Sequence, residues 1–168
     1  MTLIDDYLSE QINYEKKYGV NTIVLMQVGH FYEAYGVSND EEKTNSANMT
    51  KLSDIMNIQM TRKNKNITGN NRHNPLMIGV NIYSIDKYIQ ILLNANYTIV
   101  LISQTSEAPY VKREVTNIYS PGTNIEYSIK GDTNNLLGIY IEEINNQKTN
   151  KNILFIGASS IDLSTGTN

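Results

Sequence analysis

The sequence predicts an α/β domain, on three observations. Apolar, partly β-branched runs alternate with segments of helical periodicity as far as about residue 123. Turn-forming residues punctuate them: Gly19, Gly29 and Ser120-Pro121-Gly122-Thr123, with Pro second and Gly third in the turn. The 168 residues suffice for one domain with a real core and part of a second, but not for two full ones.

From Thr2 to Tyr18, Ile4, Leu8 and Ile12, with Tyr7, Tyr14 and Tyr18, recur at helical spacing, and Gly19 stands where a C-terminal cap belongs. Thr22 to Val28 is a nearly continuous apolar run, expected of a strand covered on both faces. Ser38-Asn39-Asp40-Glu41 has the form of a capping box that starts a helix, though Met49, Leu52, Ile55 and Met56 set a clearer helix from Asn45 to Met56. Ile58 to Thr61 alternates like a strand. Arg62 to Asn74, polar, basic and rich in Asn and Gly, reads as a mobile hairpin loop before a strand from Pro75 to Val80. Ser84 is placed to cap a helix through Asn94, with Ile85, Tyr88, Ile89 and Leu92 on one face. Strands follow at Tyr97 to Ser103 and Val111 to Tyr119. Beyond a polar stretch come two more, Leu136 to Glu142 and Ile153 to Leu163, which as a lone hairpin bury no core. They either complete the first sheet or open a second domain.

Composition narrows the function. Without cysteine there are no disulfides or thiolate metal sites, and His30 and His73 alone make a structural zinc site improbable. Asp5, Asp6, Glu10 and Glu15 argue against a signal or transit peptide, and no apolar run is long enough to span a membrane, so a soluble, intracellular chain is expected, in cytoplasm, nucleoid or viral factory. Abundant Asn, Ile, Lys and Tyr point to A/T-rich codons, as in a giant virus, a protist or an organelle. The net charge of −3 disfavours polyanion binding by the whole surface. Lys51 to Asn74 nevertheless carries five cations against one acid, either a solvated loop or a face for a phosphate backbone.

The stretch Met26-Gln27-Val28-Gly29-His30-Phe31-Tyr32-Glu33-Ala34-Tyr35-Gly36 runs from strand to glycine to an aromatic cluster around one carboxylate. On an extended chain Phe31, Glu33 and Tyr35 share one side, and Tyr32 and Ala34 the other. Two readings stand. Phe31 is core and Glu33 a solvated edge residue, or the face is only partly buried and both belong to a site.

Gly29-His30-Phe31-Tyr32-Glu33 resembles the GxFYE mismatch-recognition motif of the MutS family of DNA mismatch-repair proteins. Further segments follow in family order: Asn57-Ile58-Gln59-Met60-Thr61-Arg62-Lys63, Pro75-Leu76-Met77-Ile78-Gly79-Val80, Ile102-Ser103-Gln104, Lys112-Arg113-Glu114-Val115, Ser120-Pro121-Gly122-Thr123, Asn135-Leu136-Leu137 and Ile161-Asp162-Leu163-Ser164-Thr165-Gly166. The resemblance implies a mixed sheet flanked by helices, with a mismatch-recognition domain over residues 1–125. Residues 126–168 would then be a linker and the first strands of a ribonuclease H-like connector domain. It implies a non-catalytic stretch, with ATP and Mg²⁺ bound in an ATPase region of the family that this stretch does not include, and as partners mismatched double-stranded DNA, a MutS-type dimer partner and MutL.

By the same resemblance Phe31 is the wedge that stacks on a mispaired base, and Glu33 bonds the displaced base. A wedge in the minor groove must unstack a base step, which is easiest where pairing is already lost. Stacking, worth about 1–3 kcal/mol, tolerates any base, while a carboxylate is repelled by phosphates unless a base edge donates to it. Arg62, Lys63, Lys65 and Arg72 are candidates for backbone contacts on charge alone. His30 departs from the usual GDF pattern, and Glu41 to Ala47 reads as an insertion whose acids point away from DNA. Two rivals remain. Ser160 to Thr167 superficially resembles a phosphate loop of actin-type ATPases or a first carboxylate strand of a nuclease, and the twelve tyrosines suit a protein-interaction or connector module without DNA binding of its own. Exposure of Phe31 separates wedge from core.

Overall fold

A computed structural model describes residues 2–107, 109–123, 135–146 and 151–162. The chain divides into two units, Met1–Pro121 and Gly122–Asn168.

The first unit opens with helix α1 (Leu3–Tyr18). Thr2 and Asp5 form a reciprocal capping box, the Thr2 hydroxyl oxygen accepting from the Asp5 N–H at 3.3 Å and the Asp5 carboxylate from the Thr2 N–H at 3.0 Å. Strands β1 (Thr22–Val28), β2 (Phe31–Ser38) and β3 (Lys43–Thr44) follow, then helix α2 (Ser46–Met56) and strands β4 (Thr61–Arg62) and β5 (Leu76–Asn81). A 3₁₀ turn (Ile82–Ser84) leads into helix α3 (Ile85–Asn94), strand β6 (Thr98–Gln104) and strand β7 (Arg113–Tyr119). The strands form one mixed sheet in the order β4-β5-β2-β1-β6-β7, with β3 beside β2. Only β1 and β6 run parallel, joined across the helical segments, and the other pairs are antiparallel.

Helices cover both faces, which is why β1 is apolar from Ile23 to Met26. On one face the α1 ring of Tyr7 meets Tyr35 edge-on, centroids 5.1 Å apart. On the other, Gly36 admits α2 so closely that a Cβ there would lie 2.7 Å from Met49 Cγ. Ile23, Val24, Leu25 and Met26 are accordingly buried between them.

β1 pairs with β2 only from Met26 to Val28. Where the two separate, α1 side chains take over the exposed backbone. Tyr7 donates its O–H to the Val24 carbonyl at 3.0 Å, and the Gln11 amide accepts from the Val24 N–H at 2.9 Å and donates to the Thr22 carbonyl at 2.8 Å. Gln11 is therefore buried and Ile12 exposed, the reverse of what apolar spacing predicts for α1. A buried backbone donor must be bonded, and this need outweighs the polarity of glutamine.

Two other expectations are corrected. The Ser38 box starts no helix, because the Asn39 Oδ1 accepts from the N–H groups of Glu41 (2.9 Å) and Glu42 (2.7 Å) and closes a turn instead. No strand begins at Ile58, because its N–H and C=O bond Ser53 and finish α2 after a left-handed Asn57 (φ 51°). The 62–74 segment is, as expected, the loop of a hairpin, joining antiparallel β4 and β5, and it is tied together internally. Its buried Asn74 donates to the carbonyls of Ile67 (3.1 Å) and Gly69 (2.8 Å) and accepts from the Asn64 N–H (2.7 Å).

In the second unit, β8 (Asn135–Asn146) and β9 (Lys151–Asp162) pair antiparallel along their whole length as a separate two-stranded sheet. Expected strand residue Leu163 and most of the Ser160 to Thr167 segment lie outside the described residues.

Candidate nucleic-acid interface

Val28 pairs directly with Phe31, so Gly29 and His30 form a two-residue hairpin turn. Gly29 adopts φ +60° and His30 does not share that sign, the arrangement of a type II′ turn with glycine first. The tip is bonded from both flanks. Gln27 Nε2 donates to the Gly29 carbonyl at 3.1 Å, Arg113 Nε donates to the Gln27 carbonyl at 2.8 Å, and the Gln104 N–H donates to Gln27 Oε1 at 2.9 Å. Turned to suit its neighbours, the Gln104 amide oxygen accepts from Arg113 (3.1 Å) and from the Gly29 N–H (3.2 Å). On the β5 side the Ile82 N–H donates to the His30 carbonyl at 3.0 Å. The turn is thus held rigid by its neighbours on both sides of the sheet.

Phe31 begins β2 and is 46 % exposed; Glu33 is half-buried and Tyr35, on the same face, is 1 % exposed. That face descends from solvent into the core over five residues, so an aromatic ring and an acid coexist on it without conflict. The Tyr35 hydroxyl donates to the Glu33 carboxylate. Burial first, and then this carboxylate, push ionisation of Tyr35 well above the usual phenol range, so it stays a donor. Gly79 lies opposite Glu33 in the β2–β5 ladder, where a Cβ would sit 3.5 Å from Glu33 Cγ. Tyr32 points to the other face, its hydroxyl 2.7 Å from Ser103 Oγ.

The basic residues are not gathered with these. The 62–74 segment joins the far end of β2, where Asn70 bonds Ser38 and Asn39, about 20 Å from Phe31 at about 3.3 Å per strand residue. Arg62 is occupied in part by the carbonyls of Thr68 (2.8 Å) and Lys65 (3.4 Å). Arg72 forks between Asp5 (3.0 Å) and Glu42 (2.9 Å), which neutralise it and account for one acid of the 41–47 segment. Hydrogen bonds from Thr2, and then from Arg72, hold the Asp5 carboxyl down at about 2, and Arg72 likewise lowers Glu42. Lys63 and Lys65 are exposed, with no ion-pair partner among the described residues.

Reasoning from sequence missed Arg113, Gln27 and Gln104 as the clamp on the turn and Tyr35 as the holder of Glu33. The shared side of Glu33 and Tyr35 was a signal for the latter; the clamp depends on strand order and had none. Among the described residues no group of three or more His, Cys, Asp or Glu could hold a metal ion, and no helix is long and apolar enough to cross a membrane.

The first unit is a mixed α/β module that offers a half-exposed aromatic ring and an oriented carboxylate on a braced hairpin. The MutS domain I family model matches residues 8–128, and the chain belongs to the MutS family. It is 38 % identical over 168 residues to the putative DNA mismatch repair protein mutS homolog L359 of Acanthamoeba polyphaga mimivirus, covering 99 % of this chain and 15 % of that protein. It is 30 % identical over 153 residues to the DNA mismatch repair protein MutS of Methanosarcina barkeri, covering 87 % of this chain and 16 % of that protein. A Streptococcus pneumoniae MutS is 29 % identical over 164 residues, 95 % of this chain and 16 % of the relative. The chain thus spans about one sixth of the length of these relatives or slightly less.

Proposed function

We propose that this chain is the mismatch-reading module of a DNA mismatch-repair protein, with Phe31 as the wedge and Glu33 as the contact to the displaced base. The observation that carries the reading is the half-exposed Phe31 ring at a bonded hairpin tip, on the same face as a carboxylate held by Tyr35. Relatives named as DNA mismatch-repair proteins support the same role.

The physics is discrimination by deformability. Correct duplex resists unstacking and repels Glu33; a mispaired step yields to the ring and offers a base edge to the acid. A rigid tip matters because a ring already ordered loses little entropy on entry. Lys63 and Lys65, free at the other end of β2, suit contacts to phosphates farther along the duplex, which position without reading sequence. The module itself is non-catalytic in this reading. ATP and Mg²⁺, the dimer partner and MutL belong to the larger assembly of which it forms a part.

The test is an anisotropy titration of the complete protein with mismatched and matched duplexes. Phe31→Ala is expected to abolish the preference for mismatched duplex while leaving the fold intact, since the ring is half outside. Lys63→Ala is expected to weaken both duplexes equally and flatten the salt slope by about one. Equal preference in wild type and Phe31→Ala removes the wedge from the account.

A further inference from the structure

A second aromatic stands beside the tip. Asn81, the register partner of Phe31, ends β5, and its Oδ1 accepts from the Tyr83 N–H at 3.0 Å. The ladder continues one residue further through the Ile82 N–H bonded to His30 at 3.0 Å. Tyr83 therefore sits two residues beyond the partner of Phe31, on a 3₁₀ turn fastened to the hairpin. It is 86 % exposed, nearly twice the fraction of Phe31. Its ring makes no aromatic or cation contact among the described residues. A surface tyrosine ordinarily lays its ring on the protein and wets only its hydroxyl. Here the backbone is fixed and the ring stands clear, the state in which an aromatic loses least on meeting a partner.

We infer that Tyr83 is a second DNA contact, packing its ring on the strand that flanks the mispaired step and donating its O–H to a phosphate there. The inference rests on the wedge role proposed for Phe31. The chemistry suits a flank: phenol is uncharged, offers one donor to a phosphate oxygen, and has a flat apolar face for a sugar or base. Because the turn is tied to the tip, entry of Phe31 into the mispaired step carries Tyr83 toward the strand. It therefore strengthens the mismatched complex and leaves the matched one alone.

The experiment uses the complete protein and a duplex carrying 2-aminopurine next to a mismatch, so that unstacking and affinity are read separately. Tyr83→Ala is expected to retain the fluorescence rise of the unstacked base while binding mismatched duplex about tenfold more weakly, with matched duplex unchanged. Tyr83→Phe is expected to keep most of that affinity. Benzoylphenylalanine at position 83 is expected to cross-link the flanking strand within a few nucleotides of the mismatch. A wild-type fluorescence rise with unchanged affinity in Tyr83→Ala, or no cross-link to DNA, overturns the Tyr83 contact alone. Absence of the rise in wild type sinks the Phe31 reading instead.

Discussion

Tyr35→Phe isolates the device that orients Glu33. The ring is buried and its edge-on contact with Tyr7 survives the change, so only the hydroxyl that donates to Glu33 is removed. A hydrogen bond to a charged acceptor contributes about 1.5–3 kcal/mol. Glu33 is half-buried, however, and water recovers part of that, leaving a net loss of about 1 kcal/mol, or about 4 °C in Tm for a unit of this size. The freed carboxylate regains rotamers worth about 0.5–1.5 kcal/mol, so mismatch preference should fall about 2- to 10-fold while matched-duplex affinity holds. Because ionisation of Tyr35 is pushed far above neutrality, the effect should be the same throughout the neutral range. Thermal melts and paired anisotropy titrations measure both quantities. A lower Tm with full discrimination would show that the bond serves the fold alone. No change in either would refute the argument.

Gln11→Met keeps the volume but orphans the buried Val24 N–H, and should cost about 1–3 kcal/mol in denaturant unfolding. Gly29→Ala meets no atom within 4 Å, so its cost of about 1 kcal/mol should come from the backbone at φ +60° alone, measured as a small fall in Tm. In acid, the Asp5 carboxyl, lowered from 3.8 to about 2, contributes stability that is complete above 3.8 and lost as pH falls through about 2. Acid unfolding of Arg72→Gln should begin at higher pH than that of wild type.

Elements defined by local pattern were legible in the sequence. The nearly continuous apolar run of β1 and the periodic face of α3 allow one interpretation each, and both match within a residue or so. Elements decided by rival side-chain bonds were not. Ser38 to Glu41 spells a helix start, but Asn39 closes a turn first; Ser84 precedes α3 without capping it, and Asn81 caps the 3₁₀ turn instead. The hairpin loop over 62–74 was legible, but its tying together by Asn74 was not. At the site, the common side of Phe31, Glu33 and Tyr35 follows from strand alternation. The bracing by Arg113 and Gln104 required knowing that β6 and β7 lie beside β1.

The uneven attachment of β2 has a mechanical consequence. Three residue pairs join it to β1 but six to β5, including Phe31 itself opposite Asn81. A load applied at the Phe31 ring is shared at the tip, where Phe31 faces both Val28 of β1 and Asn81 of β5, and from Ala34 to Gly36 it passes to β5 and not to β1. Stiffness along that route sets how hard the tip can press before it yields.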